Sequence, residues 1–364
     1  NGGFCCLGGS KLDDAGFAKA FGRAAADEFW QAERDAVQLV SDTLDRFGID
    51  VDRHSHGDTC LAHNGRRMNQ MRAEAEKAAA RPGPAPEVIE KADLAAQGMT
   101  GPFHGAVTTR VGFGLNPRKY LFGLAAAAQD AGARLFQNSA VTGISATASG
   151  HELRTRQGAV RANSVIIATN GYSSEDTPDW LAGRYMPTQS TVLVTRPMTQ
   201  AELDAQGWTT DQMAYDSRNM LHYFRLMPDR RFLFGMRGGL VSSSWSEAHA
   251  RRHTRADFER MFPAWAGVGS DHSWSGMVCL ARNRVPYAGP VPGKPGMFAG
   301  LAYHGNGVAM GSYTGHLLAG IVLKSKNFPP VPQAMQRPMT RFPLGRARRL
   351  LMPPAYLAFW LADL

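Results

Sequence analysis

Cysteine is scarce: the 364 residues hold four, Cys5, Cys6, Cys60 and Cys279, and none stands in a C-x-x-C pair. That spacing indicates neither a zinc site nor a disulfide framework. It fits four free thiols in a reducing, cytoplasmic compartment. Long apolar runs are missing as well, since no stretch reaches the ~18 residues of a membrane span. The opening Asn1-Gly2-Gly3 includes no initiator methionine and no signal peptide, so the chain reads as a piece whose beginning is missing. G-x-S-x-G and H-E-x-x-H do not occur, which leaves serine-hydrolase and zinc-protease chemistry without support.

Two lesser patterns are weighed and set aside. His54-x-His56-x-Asp58 has metal-ligand residue types at strand spacing, but no second histidine pair completes a site, so exposed strand polars are expected. Asp271-His272-Ser273 names triad residue types as sequence neighbours, which is not triad geometry. The net charge of +9 and pI near 9.6 admit a polyanionic partner. The basic residues are scattered, however, apart from Arg341, Arg346, Arg348 and Arg349, and no nucleic-acid-binding signature accompanies them. An acidic small substrate, or plain solubility, accounts for the charge better.

What the chain does have is the composition of an ordinary globular protein, 44% hydrophobic and 20% charged, long enough for about two domains. Asp13 and Asp14 open a helical region that Gly48 stops, with Phe29, Trp30, Val37, Val40 and Leu44 near helical spacing. Ile49 to Leu61 reads as two short strands. Residues 64–81 read as a charged helix ended by Pro82. Asn116 before Pro117 is a helix start, with Tyr120, Leu121 and Leu124 on one face. Strands are expected at 134–136 and 140–145, then a hairpin around Gln157-Gly158, then a fully buried strand at 164–169 running into Asn170-Gly171. A helix feeding strands, closed by an apolar strand and a glycine turn, is the grammar of an open α/β sheet. From Thr188 to Gly238 the period falls to two, which predicts a second, antiparallel layer, and a short helix is expected at 255–262. The proline-broken tail with its aromatic end is expected to dock against the body, an interfacial helix or a subunit contact being the alternatives.

The stretch from Gly296 to Lys324 organises the rest. An apolar strand ends in the turn His304-Gly305-Asn306-Gly307, and a helix follows from Val308. Gly311, Gly315 and Ala319 make a small-residue stripe on it. A glycine-rich strand-to-helix turn gathers unpaired N–H groups at the positive end of the helix dipole, a place for an anion or an electron-rich ring edge. Asn1-Gly2-Gly3 and Ala168-Thr169-Asn170-Gly171 are two further loops of this kind.

In order and spacing these stretches resemble the flavin-binding segments of the D-amino acid oxidase superfamily of FAD-dependent amine oxidases, nearest its γ-glutamylputrescine oxidoreductase-like members. The resemblance runs from Asn1 to about Lys324. It also includes Gly114 to Tyr120 followed by Gly132 to Phe136, Trp274-Ser275-Gly276, Arg284-x-Pro286 and Val141, which matches an adenine-contacting position. It implies an α/β fold of two domains. A Rossmann-like FAD domain, truncated at its N-terminus and lacking the G-x-G-x-x-G turn, takes residues 1–47, 105–183 and 275–330. An antiparallel-sheet substrate domain takes 48–104 and 184–274, and 331–364 form a basic, aromatic tail. FAD would be bound non-covalently, because Cys279 stands at the wrong offset for a flavin link. Its contacts would come from Asn1, Gly2, Gly3, Val141, Ala168, Thr169, Gly171, Gly276, Gly300, Gly305, Asn306, Gly307 and Val308.

The implied reaction is oxidation of a small amine, with molecular oxygen or another acceptor taking the electrons. Tyr223, Phe224, Trp274 and Tyr303 are candidates for an aromatic wall, with core packing as the alternative for each. Arg225 and Arg237 are candidates to clamp a substrate carboxylate, and His304 to act as orienter or acid/base. A dehydrogenase of the same fold, or a non-catalytic fragment, are the alternatives.

Overall fold

The computed structural model describes residues 1–239 and 244–363. Its helices are α1 (Asp14–Phe21), α2 (Arg23–Phe47), α3 (Gly65–Ala79), α4 (Pro117–Asp130), α5 (Gln200–Gln206), α6 (Ser244–Met261), α7 (Ala309–Leu323), α8 (Gln333–Gln336) and α9 (Met352–Ala362). The strands begin with β1 (Phe4–Cys6), β2 (Asp58–Leu61), β3 (Glu87–Glu90), β4 (Gly105–Thr109), β5 (Gly112–Gly114) and β6 (Gly143–Thr147). Next come β7 (Gly150–Arg154), β8 (Ala159–Ala162), β9 (Val165–Ile167), β10 (Tyr185–Thr195) and β11 (Met213–Asp216). The last are β12 (His222–Leu226), β13 (Phe232–Arg237), β14 (Ser270–Ala281), β15 (Tyr287–Pro290) and β16 (Met297–Leu301).

The largest sheet has the order β14-β10-β13-β12-β11-β2-β4-β3. It is antiparallel except where β11 runs parallel to β2. One of its faces buries Leu61, Ala214, Phe224, Phe232 and Phe234 against Trp208, Phe258, Phe262 and Trp265. Interlocked aromatic rings with centroids 4.8–6.3 Å apart fill this core. A second sheet, β15-β16-β9, pairs β16 parallel with β9 and packs on α7. A third core joins α2, α7 and α8, with Phe29, Val37, Val40 and Leu44 meeting Tyr313, Leu317 and Met335. The mixed α/β architecture expected from the sequence is what the chain forms.

Local chemistry sets many of the boundaries. Asn116 caps α4 by accepting from the Arg118 and Lys119 N–H groups, and Pro117 fills the first position, where no donor is needed. Gly48 adopts the left-handed conformation that ends α2, returning its N–H to the Leu44 carbonyl.

Other expectations are not met. Residues 134–136 form no strand, and Leu135 and Phe136 are exposed. The strand expected at 164–169 is shorter, Val165–Ile167, and Ile166 between its ends is exposed. Of the two strands expected in 49–61, only β2 forms, because Asp52, Ser55 and Gly57 take positive φ and break the extended path. The small-residue stripe of α7 does not make the close contact either: Gly315 is exposed and no atom lies within 4 Å of where its Cβ would be. α7 buries Tyr313, Thr314, Leu317 and Leu318 instead. The close approach falls on Gly300, whose Cβ would lie 2.6 Å from Thr314 and 2.8 Å from Leu318.

The tail docks on the body. Arg348 is buried, ion-paired with Glu175 and bonded to the Tyr185 carbonyl. Leu357, Phe359, Trp360 and Leu361 of α9 stay exposed. No helix among the described residues is long and apolar enough to cross a membrane.

Candidate active site

Strand alternation decides what the second face of the large sheet presents. Register places Tyr215 beside Cys60 and Tyr223, Tyr223 beside Gly235, and Ser190 beside Arg237. Asp58 and Cys60 are two apart on β2 and share that face. Against it stand the first glycine loop, the turn after β9 and the turn after β16. Between them lies a cavity of about 510 Å³, lined among others by Gly2, Asn170, Gly276, Gly305 and Gly307. Three loops far apart in the chain thus meet at one cleft.

Missing side chains make room for Tyr223. A Cβ on Gly235 would lie 2.3 Å from its ring, and one on Gly2 would lie 2.7 Å away. The ring passes between the two glycines, and its hydroxyl reaches Ser190 Oγ at 2.8 Å. Phe4 meets it edge-on at 5.9 Å. Tyr303 lines the opposite wall, its hydroxyl pushed well above the usual range by burial.

Arg237 lines the cavity, and its guanidinium has no hydrogen bond or ion pair among the described residues. Burial lowers its pKa. Its guanidinium sits 2.5 Å from where a Gly305 Cβ would be, so the positive-φ glycine there also clears its path.

Lys11, Asp58 and Tyr215 line the same cavity, and sequence reasoning missed all three as site residues. Lys11 is exposed at the cavity rim, and the surrounding walls, with Arg237 nearby, bring its ammonium down to about 7. Asp58 is 7% exposed, and burial raises its carboxyl to about 7 against the opposing pull of the Tyr215 hydrogen bond. Its place in the His54-x-His56-x-Asp58 pattern was the available signal. The pattern does not hold together in space: His54 Nε2 meets Arg225 Nη1 at 2.8 Å, while Asp58 faces the cavity.

Several expected site residues stand elsewhere. Arg225 is 1% exposed and lies outside the cavity, donating to the Leu115 carbonyl at 2.8 Å beneath Gly3. It braces the first loop and has no path to a substrate carboxylate. Phe224 alternates onto the aromatic core face. Trp274, opposite Val192 on β14, lies outside the cavity and is 37% exposed.

His304 does line the cavity, but both ring nitrogens are committed. Nδ1 meets the Gly9 carbonyl at 2.8 Å, and Nε2 accepts from the Ala281 N–H at 3.1 Å. Burial brings its pKa down to about 4, so the ring is neutral and spent on holding two loops together. An acid/base role for it does not fit. Asn306 is a staple of the same kind, its Nδ2 donating to the Cys6 and Leu7 carbonyls at 2.8 and 2.7 Å.

Asn1, Gly2, Gly276, Gly305, Asn306 and Gly307 line the cavity. Gly3, Ala168, Thr169, Gly171, Gly300 and Val308 are not among its lining residues. Gly171 abuts the Met277 carbonyl, and Gly300 packs on α7. Val141, 39% exposed, precedes β6 away from the cavity.

Comparison with known proteins places this arrangement. Residues 1–321 match the family described as DAO, FAD dependent oxidoreductase. The chain belongs to that family. It is 26% identical over 313 residues to the probable oxidoreductase OrdL of Haemophilus influenzae, covering 84% of this chain and 70% of that protein. It is 25% identical over 304 residues to gamma-glutamylputrescine oxidoreductase of Escherichia coli, with the same coverage. Its fold is similar to glycine oxidase from Geobacillus kaustophilus, with a TM-score of 0.73 at 19% identity over 93% of this chain and 88% of that one.

As a DAO-family chain it is an FAD-dependent oxidoreductase, and the lining of this cavity is of a kind that would hold the flavin end of that cofactor. Gly276 and Gly307 line the cavity with room where a side chain would stand, which suits a flat ring. The N-terminus of α7 has no side-chain cap and adjoins Gly307 at the cavity wall. Its free donors and dipole suit a ring edge that gains negative charge.

Proposed function

We propose that this chain oxidises a small amine bearing a carboxylate, at the C–H beside the nitrogen, with bound FAD as the two-electron acceptor and oxygen as its reoxidant. The convergence of Gly2, Asn170 and Gly305 on one cavity that also holds Arg237, whose guanidinium has no partner among the described residues, carries this reading.

FAD supplies hydride acceptance; the protein supplies position. Arg237 receives the carboxylate through its planar fork. Tyr223 and Tyr303 wall the chain between carboxylate and amine, and their apolar faces favour the neutral nitrogen. The uncapped start of α7, beside Gly307 at the cavity wall, would stabilise negative charge on a bound flavin through fixed backbone dipoles. Asn1, Gly2, Gly276, Gly305 and Gly307 would hold the flavin ring, and Val141 and the loop at Ala168 to Gly171 would serve the rest of the cofactor.

Non-covalent attachment is part of the proposal, because Cys279 is fully buried in the core with Tyr185 and Ala302 and does not line the cavity. So is the division into an FAD domain of 1–47, 105–183 and 275–330 and a substrate domain of 48–104 and 184–274. The separate cores beneath α7 and beneath the large sheet support it in outline, although β4 and the end of β14 fall within the large sheet. Four free thiols support a reducing, cytoplasmic setting.

Anaerobic mixing of the yellow protein with a panel of primary and secondary amines, with and without a carboxylate, tests this. Bleaching of the flavin band by carboxylate-bearing amines, and peroxide on admitting air, are expected. No bleaching by any amine overturns the reading. Turnover with a dye but no peroxide would assign a dehydrogenase.

A further inference from the structure

We propose that Asp58, on the strand beside that of Tyr215, receives the substrate's ammonium group and takes its proton, at the opposite end of the cavity floor from Arg237. The inference rests on the amine reading above and assigns a residue to a step which that reading leaves without one. His304 cannot serve, since both its nitrogens are bonded to backbone.

The geometry comes from the sheet. Asp58 begins β2, and its side chain lies on the face that also presents Tyr215, Tyr223 and Arg237 to the cavity. The strand order β13-β12-β11-β2 sets two strands between those of Arg237 and Asp58. The floor therefore carries a fixed cation on one strand and a carboxyl three strands along, with two phenol rings between. A molecule with a carboxylate at one end and an ammonium at the other matches that order of charges.

Asp58 also lacks the partners that a structural carboxylate has. Asp216 and Asp257, buried on the sheet's other side, each have a histidine and an arginine. Asp58 has no ion pair among the described residues, and the neighbouring Tyr215 hydroxyl is the one side chain that favours its ionised form there. A buried carboxylate without a cation is costly to keep ionised. An arriving ammonium supplies the missing charge.

The step balances. One N–H bond of the ammonium breaks and one O–H bond forms on Asp58, so the nitrogen keeps its electron pair for the C–H oxidation. The proton then leaves Asp58 for solvent through the open side of the cavity. A carboxyl that titrates at about 7 is matched to this exchange at neutral pH. The titratable groups facing it are Tyr215 on β11, Cys60 on its own strand and Cys6 on β1, all pushed above their usual range by burial. Lys11, on the far wall, is the other group near 7 and needs a control.

The test is calorimetry on FAD-loaded protein, reduced beforehand under anaerobic conditions so that no turnover intervenes. The probes are the ω-amino acids of two to six carbons, glycine to 6-aminohexanoate. For the length that binds best, the matching plain carboxylate and plain alkylamine are added. Asp58→Asn is expected to weaken both amine-bearing probes by about tenfold or more and to leave the plain carboxylate unchanged. Wild-type affinity for the amino acid should rise as pH passes upward through about 7. That limb should vanish in Asp58→Asn and persist in Lys11→Met. Tyr215→Phe, which keeps the carboxyl but removes the neighbouring hydroxyl that favours its ionised form, should move the limb to higher pH, a shift that loss of packing does not produce.

Equal weakening of all probes, unchanged amine binding in Asp58→Asn, a limb that follows Lys11, or no binding by any member of the series overturns the proposal. Binding with the expected Asp58 dependence, but no flavin bleaching by any amine, would strike the oxidation reading and leave the ammonium receptor standing.

Discussion

Tyr223 owes its place to what two neighbours lack. Gly235 and Gly2 lie on either side of its ring, at distances a methyl group cannot share. Neither residue takes a positive φ, so the requirement is for space and not for backbone freedom. Gly235→Ala should therefore displace the ring from Ser190 and cost about 1–3 kcal/mol by overpacking, seen as a lower urea midpoint and an altered flavin spectrum. Arg237 makes the opposite case. Its charge has no partner among the described residues and is held in a buried setting, so it serves function at the expense of stability. Arg237→Met should leave the melting temperature unchanged or higher, while KM for carboxylate-bearing amines rises roughly 10- to 100-fold and KM for plain amines does not. A lowered melting temperature with equal loss on both amine classes would assign Arg237 to the fold.

At the scale of elements, the join between β12 and α6 is electrostatic. His222 sits between two buried carboxylates, Nδ1 at 2.7 Å from Asp216 and Nε2 at 3.0 Å from Asp257, with Phe234 stacked on its ring. Burial alone would lower its pKa, but the two hydrogen bonds prevail and raise it to about 9. Burial likewise opposes the charge of both aspartates, and the His222 bonds still bring them below the usual carboxylate range. The histidine's contribution is thus full below its unfolded pKa of 6.5 and is lost as pH rises through about 9. A shift of that size corresponds to about 3 kcal/mol. The aspartates' contribution is present above their unfolded value and lost as pH falls through their lowered one. Urea titrations should show a stability plateau between about pH 4.5 and 6.5 that declines on both sides. His222→Phe should remove the alkaline decline and, by leaving two buried carboxylates without their shared cation, cost about 3–5 kcal/mol at pH 6.

The same elements show what a sequence states and what it leaves out. Caps and turns are local chemistry, so the start of α4 at Asn116-Pro117, the end of α2 at Gly48 and the hairpin around Gln157-Gly158 were all legible. The meeting of three glycine loops was legible through family resemblance, since no single loop specifies its neighbours. The commitments of individual side chains were not legible. His304 is held by a carbonyl 295 positions away, and Arg225 by a histidine 171 positions away. Nothing in either local pattern marks those bonds. Asp58 was hidden by periodicity itself: strand alternation groups it with His54, but the positive φ of Ser55 and Gly57 separates them.

Across the whole molecule, the chain's last described turn reaches back to the mouth of the cavity. Asp363, at the end of α9, accepts from the Asn219 and Met220 N–H groups at 2.9 and 3.2 Å, and Tyr356 Oη meets the Gly239 carbonyl at 3.4 Å. These contacts fall on the two segments that flank Leu221 and Arg237, both of which line the cavity. The tail thus fastens the outer ends of β12 and β13, whose inner faces form the cavity floor. A contact of this kind is worth about 1 kcal/mol, too little to govern folding but enough to set how often the rim opens. Asp363→Ala should speed hydrogen exchange at the Asn219 and Met220 amides by about fivefold to tenfold and leave the amides of Phe224 and Phe234 in the aromatic core unchanged. If the rim controls access, KM for the substrate changes in the same variant while the flavin spectrum does not. Uniform acceleration of exchange across the large sheet would instead make α9 part of the global fold.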